Sequence, residues 1–345
     1  RETSNRLNVP APAPTPAPAP KPEVFKWKLQ GNMARGEPFG HWGPHMFGKQ
    51  FDEGWIDWIE EATDGRLEVE FVEPNGVYPN AEALTNIGSG VIEASHTCIA
   101  YYGGEMPEAF IAATLPFSNP GLMYTYDLYW RYGWYEKMRD LHLAQNIVFI
   151  PAPMEEVCHL TTTFAANSPD DVAGRKIRIW GAMAGYIKAI GGLPVTMSYS
   201  DVYMGIKLGT VDGATIGAQA LEELKLKEIV KGYVVYPSMN SSCNAHLINK
   251  DAFDALPQDI QDFIMRETPL YFLKAASEYK LHQLYTLQQG VKEYGLELYT
   301  WSEEDTAKVR KLCAEQVWPE YGAKSAGSAE LLKIQMDYLE LMGLL

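Results

Sequence analysis

Hydrophobic and polar positions alternate most clearly between Gly174 and Gly181, where the chain reads Gly-Arg-Lys-Ile-Arg-Ile-Trp-Gly. Ile177 and Ile179 share one face and Arg178 and Trp180 the other, a period of two that predicts a strand over 176–180. Gly181 ends the pattern, and 182–190 has the composition of a helix. The same alternation predicts strands over 25–29, 67–72 and 92–100. Helical stretches at 47–62 and 81–89 separate them, with turns at Thr63-Asp-Gly65 and Pro74-Asn-Gly76. A β-α-β-α-β order with short turns implies a mostly parallel sheet. A second unit of the same kind follows an apolar strand at 146–150. Its strands are 176–180, 194–197 and 213–217, with helices after Gly181 and over 200–208, and 246–249 is one more short strand. A nearly continuous helical pattern then covers 259–294, expected to bend at Pro269. A last strand spans 296–301, and Ser302 is placed to cap the helix after it. Two α/β units joined by several crossings, with one very long helix, describe a hinged, two-lobed molecule.

Size agrees, because 345 residues exceed what one hydrophobic core usually supports. The 29 basic and 44 acidic residues give a net charge of −15, which repels nucleic acid, and no basic stripe offsets it. Apolar runs are short and interrupted, so no membrane span is predicted. Residues 1–23 contain Pro10-Ala-Pro-Ala-Pro-Thr-Pro-Ala-Pro-Ala-Pro20, which can form neither helix nor ladder and reads as an extended spacer. Such a spacer separates a folded module from something it is tied to. A lipid or membrane anchor at the N-terminus is the expectation, and a disordered tail the alternative. Cys98, Cys158, Cys243 and Cys313 lie far apart with no C-x-x-C pair, which argues against zinc. They are expected to be buried thiols, disulfides being the other reading.

A strand-to-helix junction is where an α/β sheet places its ligands. Arg178 lies beside one, and an arginine in so acidic a chain needs an anion, read here as the ligand. Trp180 is either an aromatic wall for that ligand or core packing. Gly181 lets the backbone approach, and the N–H groups of the helix start could assist an anion. Gly181-Ala-Met-Ala-Gly185 lacks the G-x-G-x-x-G spacing of a dinucleotide site. In the first unit Asn32, Met33, Arg35, His41 and Trp42 follow the opening strand. Tyr78 follows a turn, and Tyr101 and Tyr102 end another strand. Strand ends face a cleft, so a tyrosine hydroxyl there could meet the distal end of a ligand. His41 and His45 are four apart, but Gly43 and Pro44 preclude a helical metal pair. With no Ser-His-Asp set, paired carboxylates or phosphate loop, no enzymatic activity, metal or cofactor is expected.

Thr63-Asp-Gly-Arg66, Pro74-Asn-Gly76, Leu115-Pro-Phe117, Asp171-Val-Ala-Gly-Arg-Lys-Ile-Arg178, Pro194-Val195, Asp201-Val-Tyr203, Gly209-Thr-Val-Asp-Gly213 and Leu256-Pro257 occur in this order. Together they resemble the DctP-type solute-binding proteins of tripartite ATP-independent periplasmic (TRAP) transporters, over roughly 25 to 310. The resemblance implies a type II periplasmic-binding-protein fold, two α/β lobes closing on a small organic acid and braced by a long helix. On that plan 1–23 is the tether, 24–150 with 240–282 is lobe I, and 151–239 with 283–345 is lobe II. It also implies that Arg178 pairs with the ligand carboxylate. Two departures stand out. Many members carry Asp-Gly-Gln-Glu-Asn-Pro where this chain has Asp212-Gly-Ala-Thr-Ile-Gly217, and Gln219 is the candidate to replace the missing asparagine. Many also carry an arginine where Cys158 stands, so a single cationic anchor suggests a monoanion. Glu155, where the chain crosses between lobes, could accept a hydrogen bond from a ligand hydroxyl or amine. The expected function is extracytoplasmic capture of a small carboxylate or sulfonate by a monomer that delivers it to TRAP membrane subunits. A sensor domain or an ABC-type receptor on the same fold is the alternative.

Overall fold

The computed structural model describes residues 23–31, 54–113, 115–119, 121–153, 159–197, 199, 201–239 and 243–345. The strands are β1 (Phe25–Gly31), β2 (Leu67–Val72), β3 (Ala94–Cys98), β4 (Ile147–Pro153), β5 (His159–Thr162), β6 (Lys176–Ile179), β7 (Leu193–Thr196), β8 (Gly213–Ile216), β9 (Gly232–Tyr236), β10 (Cys243–Asn249) and β11 (Glu297–Thr300). They form two sheets, ordered β2-β1-β3-β10-β4 and β11-β9-β5-β8-β6-β7. Alternation works as expected at the first edge. Trp27 and Leu29 are buried, while Lys26 and Lys28 point outward and pair with Glu68 and Glu70 of β2.

Parallel pairing covers the local β-α-β parts, β2-β1-β3 and β8-β6-β7, and the β9–β11 edge of the second sheet. β10 runs antiparallel to β3 and β4, and β5 antiparallel to β8 and β9. The physical reason is connectivity. β5 and β10 enter from the other sheet through short connections, whereas β11 enters through the long helix and lies parallel to β9. The chain passes between sheets from β4 to β5, back from β9 to β10, and again through the helix before β11.

That helix, Gln258–Tyr294, has 37 residues, a length of about 55 Å at the usual rise. It runs unbroken through Pro269 and ends at Gly295, whose φ of 69° allows its N–H to reach Gly290 O. Ile260, Ile264 and Phe272 pack with the core beside β1 and β2, Tyr279 with the largest cluster, and Leu287 with the core beside β8 and β9. One helix therefore takes part in all three cores. After β11, Ser302 accepts a hydrogen bond from Asp305 N, as its capping position requires. The closing helices, Trp318–Gly322 and Ala326–Leu341, lie against the first unit. Trp318 Nε1 donates to Pro116 O at 2.9 Å and Gln335 Nε2 to Ser118 O at 2.7 Å. Cys98, Cys243 and Cys313 are buried thiols, and burial pushes Cys243 up to about 12. Cys158 lies outside the described residues.

Candidate functional site

Arg178 occupies β6 between β7 and β8, opposite Val195 and Ala214. Its side chain is turned inward, the residue being 5% exposed. Nε donates to Met197 O at 3.0 Å and Nη1 to Thr215 O at 3.1 Å, while Thr215 Oγ1 donates back to Arg178 O at 3.2 Å. These main-chain acceptors fix the plane of the guanidinium between β7 and β8.

The residues around it explain the motifs. Asp212 Oδ2 accepts from Lys176 N at 2.8 Å and Asp212 N donates to Lys176 O at 2.7 Å, clamping the start of β6 onto the turn before β8. Gly213 must be glycine, since a Cβ there would lie 2.5 Å from Thr161 O. Ser168 and Asp171 form a reciprocal capping box, and Gly174, at φ 73°, makes the turn into β6. Arg175 stacks its guanidinium over Phe164 at 4.6 Å. Much of the Asp171–Arg178 signature thus positions one side chain. The helix after Gly181, Met183–Ala189, has seven residues and its first N–H bonds Trp180 O.

Trp180 is half-buried against the largest core cluster. Gln219 precedes the short helix Ala220–Glu223, is 1% exposed, and leaves Oε1 buried without a hydrogen-bond partner. Tyr199, two residues beyond the Met197 carbonyl that holds Arg178, donates its hydroxyl to Glu223. The segments after β7 and β8 are thus joined by the Tyr199–Glu223 bond, and Gln219 O accepts from Glu223 N. On the first unit Tyr78 is 3% exposed, and burial raises its phenol to about 12. Its hydroxyl has no hydrogen-bond partner; the neighbouring Ser95 hydroxyl donates to Gln30 O instead. Tyr101 is 44% exposed, whereas Tyr102 is buried and pairs with His142 Nε2 at 3.0 Å. Asn32, Met33, Arg35, His41, His45, Trp42, Glu155 and Cys158 lie outside the described residues.

Sequence reasoning missed Gln30, whose side chain accepts from Val77 N and donates to Tyr78 O, holding the Tyr78 loop on the end of β1. It also missed the buried polar strip of β3 and β10, where His96 and His246 face each other in register and Asn244 approaches His96 Nε2 at 3.5 Å. The signal was there: polar residues inside fully buried strands. A separate open groove of about 700 Å³ runs along β1 and β2. Lysines and glutamates that already pair with one another line it, remote from Arg178, and it is not the site.

Among the described residues no helix is long and apolar enough to cross a membrane, and no cluster of three or more His, Cys, Asp or Glu could hold a metal. A solute-binding protein of Albidiferax ferrireducens is 23% identical over 295 residues, covering 81% of this chain and 83% of that one. A TRAP transporter solute binding protein from Bordetella bronchiseptica, solved with calcium and picolinate, superposes with a TM-score of 0.78 at 18% identity over 93% of each chain. One from Pseudoalteromonas atlantica, solved with sodium and pyruvate, gives 0.76 at 19% identity over 93% of this chain and 95% of that one. The architecture is thus the two-lobed type II fold of those binding proteins. Residues 42–324 match the family model for bacterial extracellular solute-binding proteins, family 7 (DctP), and the chain belongs to that family.

Proposed function

We propose that this chain captures a small, singly charged organic anion, a carboxylate or sulfonate, between its two α/β units and hands it to the membrane subunits of a TRAP transporter. The observation that carries the reading is Arg178, a buried guanidinium aligned by Met197 O and Thr215 O at the strand ends. Bidentate pairing by such a fork is the strong way to hold a carboxylate. Gln219 and Trp180 line the same side, while Tyr78, Tyr101, Asn32 and Glu155 are assigned to the facing wall and the crossing. Binding selects the closed form because only closure brings both walls onto the anion. Lobe I then comprises 24–150 with 240–282, and lobe II 151–239 with 283–345. The receptor is a non-enzymatic monomer, and the Pro/Ala run suits a spacer holding it near the membrane.

A thermal-shift screen of organic acids tests this. Monoanionic acids should raise the melting temperature of the wild type and not of Arg178→Met. A shift of equal size in both proteins would remove Arg178 from the site.

A further inference from the structure

The two carbonyls that align Arg178 are unequally anchored. Thr215 O belongs to β8, which is laddered to β5 on one side and β6 on the other. Met197 O lies beyond the last register pair of β7, Ile179 with Thr196, in a segment that has left the sheet. A guanidinium aligned by two acceptors is placed only as well as the less rigid of them.

Side chains hold that segment. The Met197 thioether fills a slot over Gly205, where an added Cβ would lie 2.7 Å from Sδ. Two residues on, the Tyr199 hydroxyl donates to Glu223 in the short helix after β8. Tyr199 O accepts from Val202 N at 3.3 Å as the chain turns into the helix Val202–Lys207. Glu223 is seated in turn: its N–H donates to Gln219 O at 3.0 Å, and it lies near enough to Tyr279 of the long helix to act on that phenol, as Tyr199 and Tyr233 also do. The peptide that carries Met197 O is thereby tied across the sheet to the segment after β8.

We propose that Tyr199 and Glu223 are positioning residues for Arg178: their hydrogen bond sets the Met197 carbonyl and, through it, the plane of the guanidinium. The inference rests on the reading of Arg178 as the anion anchor and adds what keeps that anchor aligned. A bidentate fork tolerates little misalignment, because N–H···O bonds weaken steeply as they bend. A bond to a carboxylate is among the stronger kinds, and a functional group is held in geometry by the residues that lock its supports. Tyr199 and Glu223 act through Met197, so removing either loosens the anchor and leaves its charge in place. The expected loss is therefore smaller than for Arg178 itself, about five-fold to thirty-fold in affinity.

The test uses the full chain, labelled with 15N at arginine and read without ligand. A buried, hydrogen-bonded Nε–H exchanges slowly with water, and the Arg178 cross-peak is assigned by its loss in Arg178→Met. Tyr199→Phe and Glu223→Ala should each speed that exchange about five-fold or more, and the double variant should be no faster than either alone, since both break one bond. Glu223→Gln keeps an oxygen for the phenol and should restore exchange to within about two-fold of wild type. Arg66, whose Nε donates to Thr63 O in the first unit, is the control and should not change. Calorimetry with propionate, benzoate and methanesulfonate should show the five-fold to thirty-fold loss in Tyr199→Phe and near-wild-type affinity in Glu223→Gln. Unchanged Arg178 exchange in Tyr199→Phe and Glu223→Ala overturns the proposal, as does a wild-type Nε–H that exchanges like that of an exposed arginine. Exchange that quickens equally at Arg66, or full probe affinity in Tyr199→Phe, also overturns it, because the bond would then be only structural. The expected exchange pattern with no probe bound by wild type supports the alignment and removes the anion reading alone.

Discussion

Replacing Arg178 by methionine keeps the volume of the side-chain stem and removes the charge. In the ligand-free protein the change leaves Met197 O and Thr215 O without their side-chain donor. Each such loss costs about 1 kcal/mol, offset by no longer burying a guanidinium. The ligand-free stability should therefore move by no more than about 2 kcal/mol. At 345 residues and about 2.1 cal/mol/K per residue, the unfolding entropy is about 0.7 kcal/mol/K, so 2 kcal/mol is a shift of about 3 °C. Binding should respond far more. Truncating one partner of a buried charge pair costs about 2–5 kcal/mol, which weakens affinity by about 30-fold to several thousand-fold. With ligand at a thousand times its wild-type Kd, wild type gains about 4 kcal/mol, or about 6 °C, and the variant should gain at most about 2 kcal/mol, or about 3 °C. Differential scanning fluorimetry with and without ligand gives both numbers, and calorimetry gives the affinity directly. A variant that retains the full ligand-induced shift would show that the anion is held elsewhere, whatever happens to its basal melting temperature.

Three further outcomes follow from the packing and titration of this chain. His142 and His159 are each held down to about 4 by burial, against an unfolded value of 6.5. The unfolded chain then binds more protons, so the stability they confer is complete above pH 6.5 and is lost as pH falls from 6.5 toward 4, by about 3 kcal/mol per residue. Urea midpoints measured across that window should fall steeply, and a flat profile would contradict the neutral buried state of both rings. Cys243, raised to about 12, should resist maleimide at pH 8 in the native protein and react once unfolded; rapid native labelling would refute its burial. Gly213→Ala places a Cβ 2.5 Å from Thr161 O and should cost about 1–3 kcal/mol in urea titration, with neutrality showing that β5 and β8 can part without cost.

Elements whose faces differ in solvation were legible. β1 and β2 alternate because Lys26, Lys28, Glu68 and Glu70 stand in water, and the long helix announced itself by length. β5 and β9 were not legible, since His159–Thr162 and most of Gly232–Tyr236 are buried on both faces and carry no period. Their antiparallel direction was also hidden, because it follows from a chain returning from the other sheet and not from any local residue. At the site, Arg178 was singled out by its place beside a strand-to-helix junction and above all by the family resemblance, and its inward burial on β6 was not readable from either. The orphan Oε1 of Gln219 was not readable, since whether a buried amide finds a partner depends on segments far away in sequence. Gln30 escaped for the same reason: its partners are Val77 and Tyr78, a strand and a helix later.

Binding and packing should be separable, and Trp318 offers the complement to Arg178. Trp318 is fully buried in the largest core cluster, donates to Pro116 O at 2.9 Å, and lies far in sequence from the strand ends that hold the guanidinium. Trp318→Ala removes the indole and leaves a buried carbonyl unsatisfied, about 3–5 kcal/mol for the cavity and about 1–3 kcal/mol for the carbonyl. At the same unfolding entropy this lowers the melting temperature by about 6–11 °C. The ligand-induced increment should nonetheless stay near its wild-type size, because none of the groups around Arg178 has been touched. Arg178→Met should show the reverse, a small basal change with the increment cut by about half or more. If Trp318→Ala instead abolishes the increment while the protein remains folded, the clasp between the closing helices and the first unit governs access to the bound state, and the anion site cannot be described by the residues around Arg178 alone.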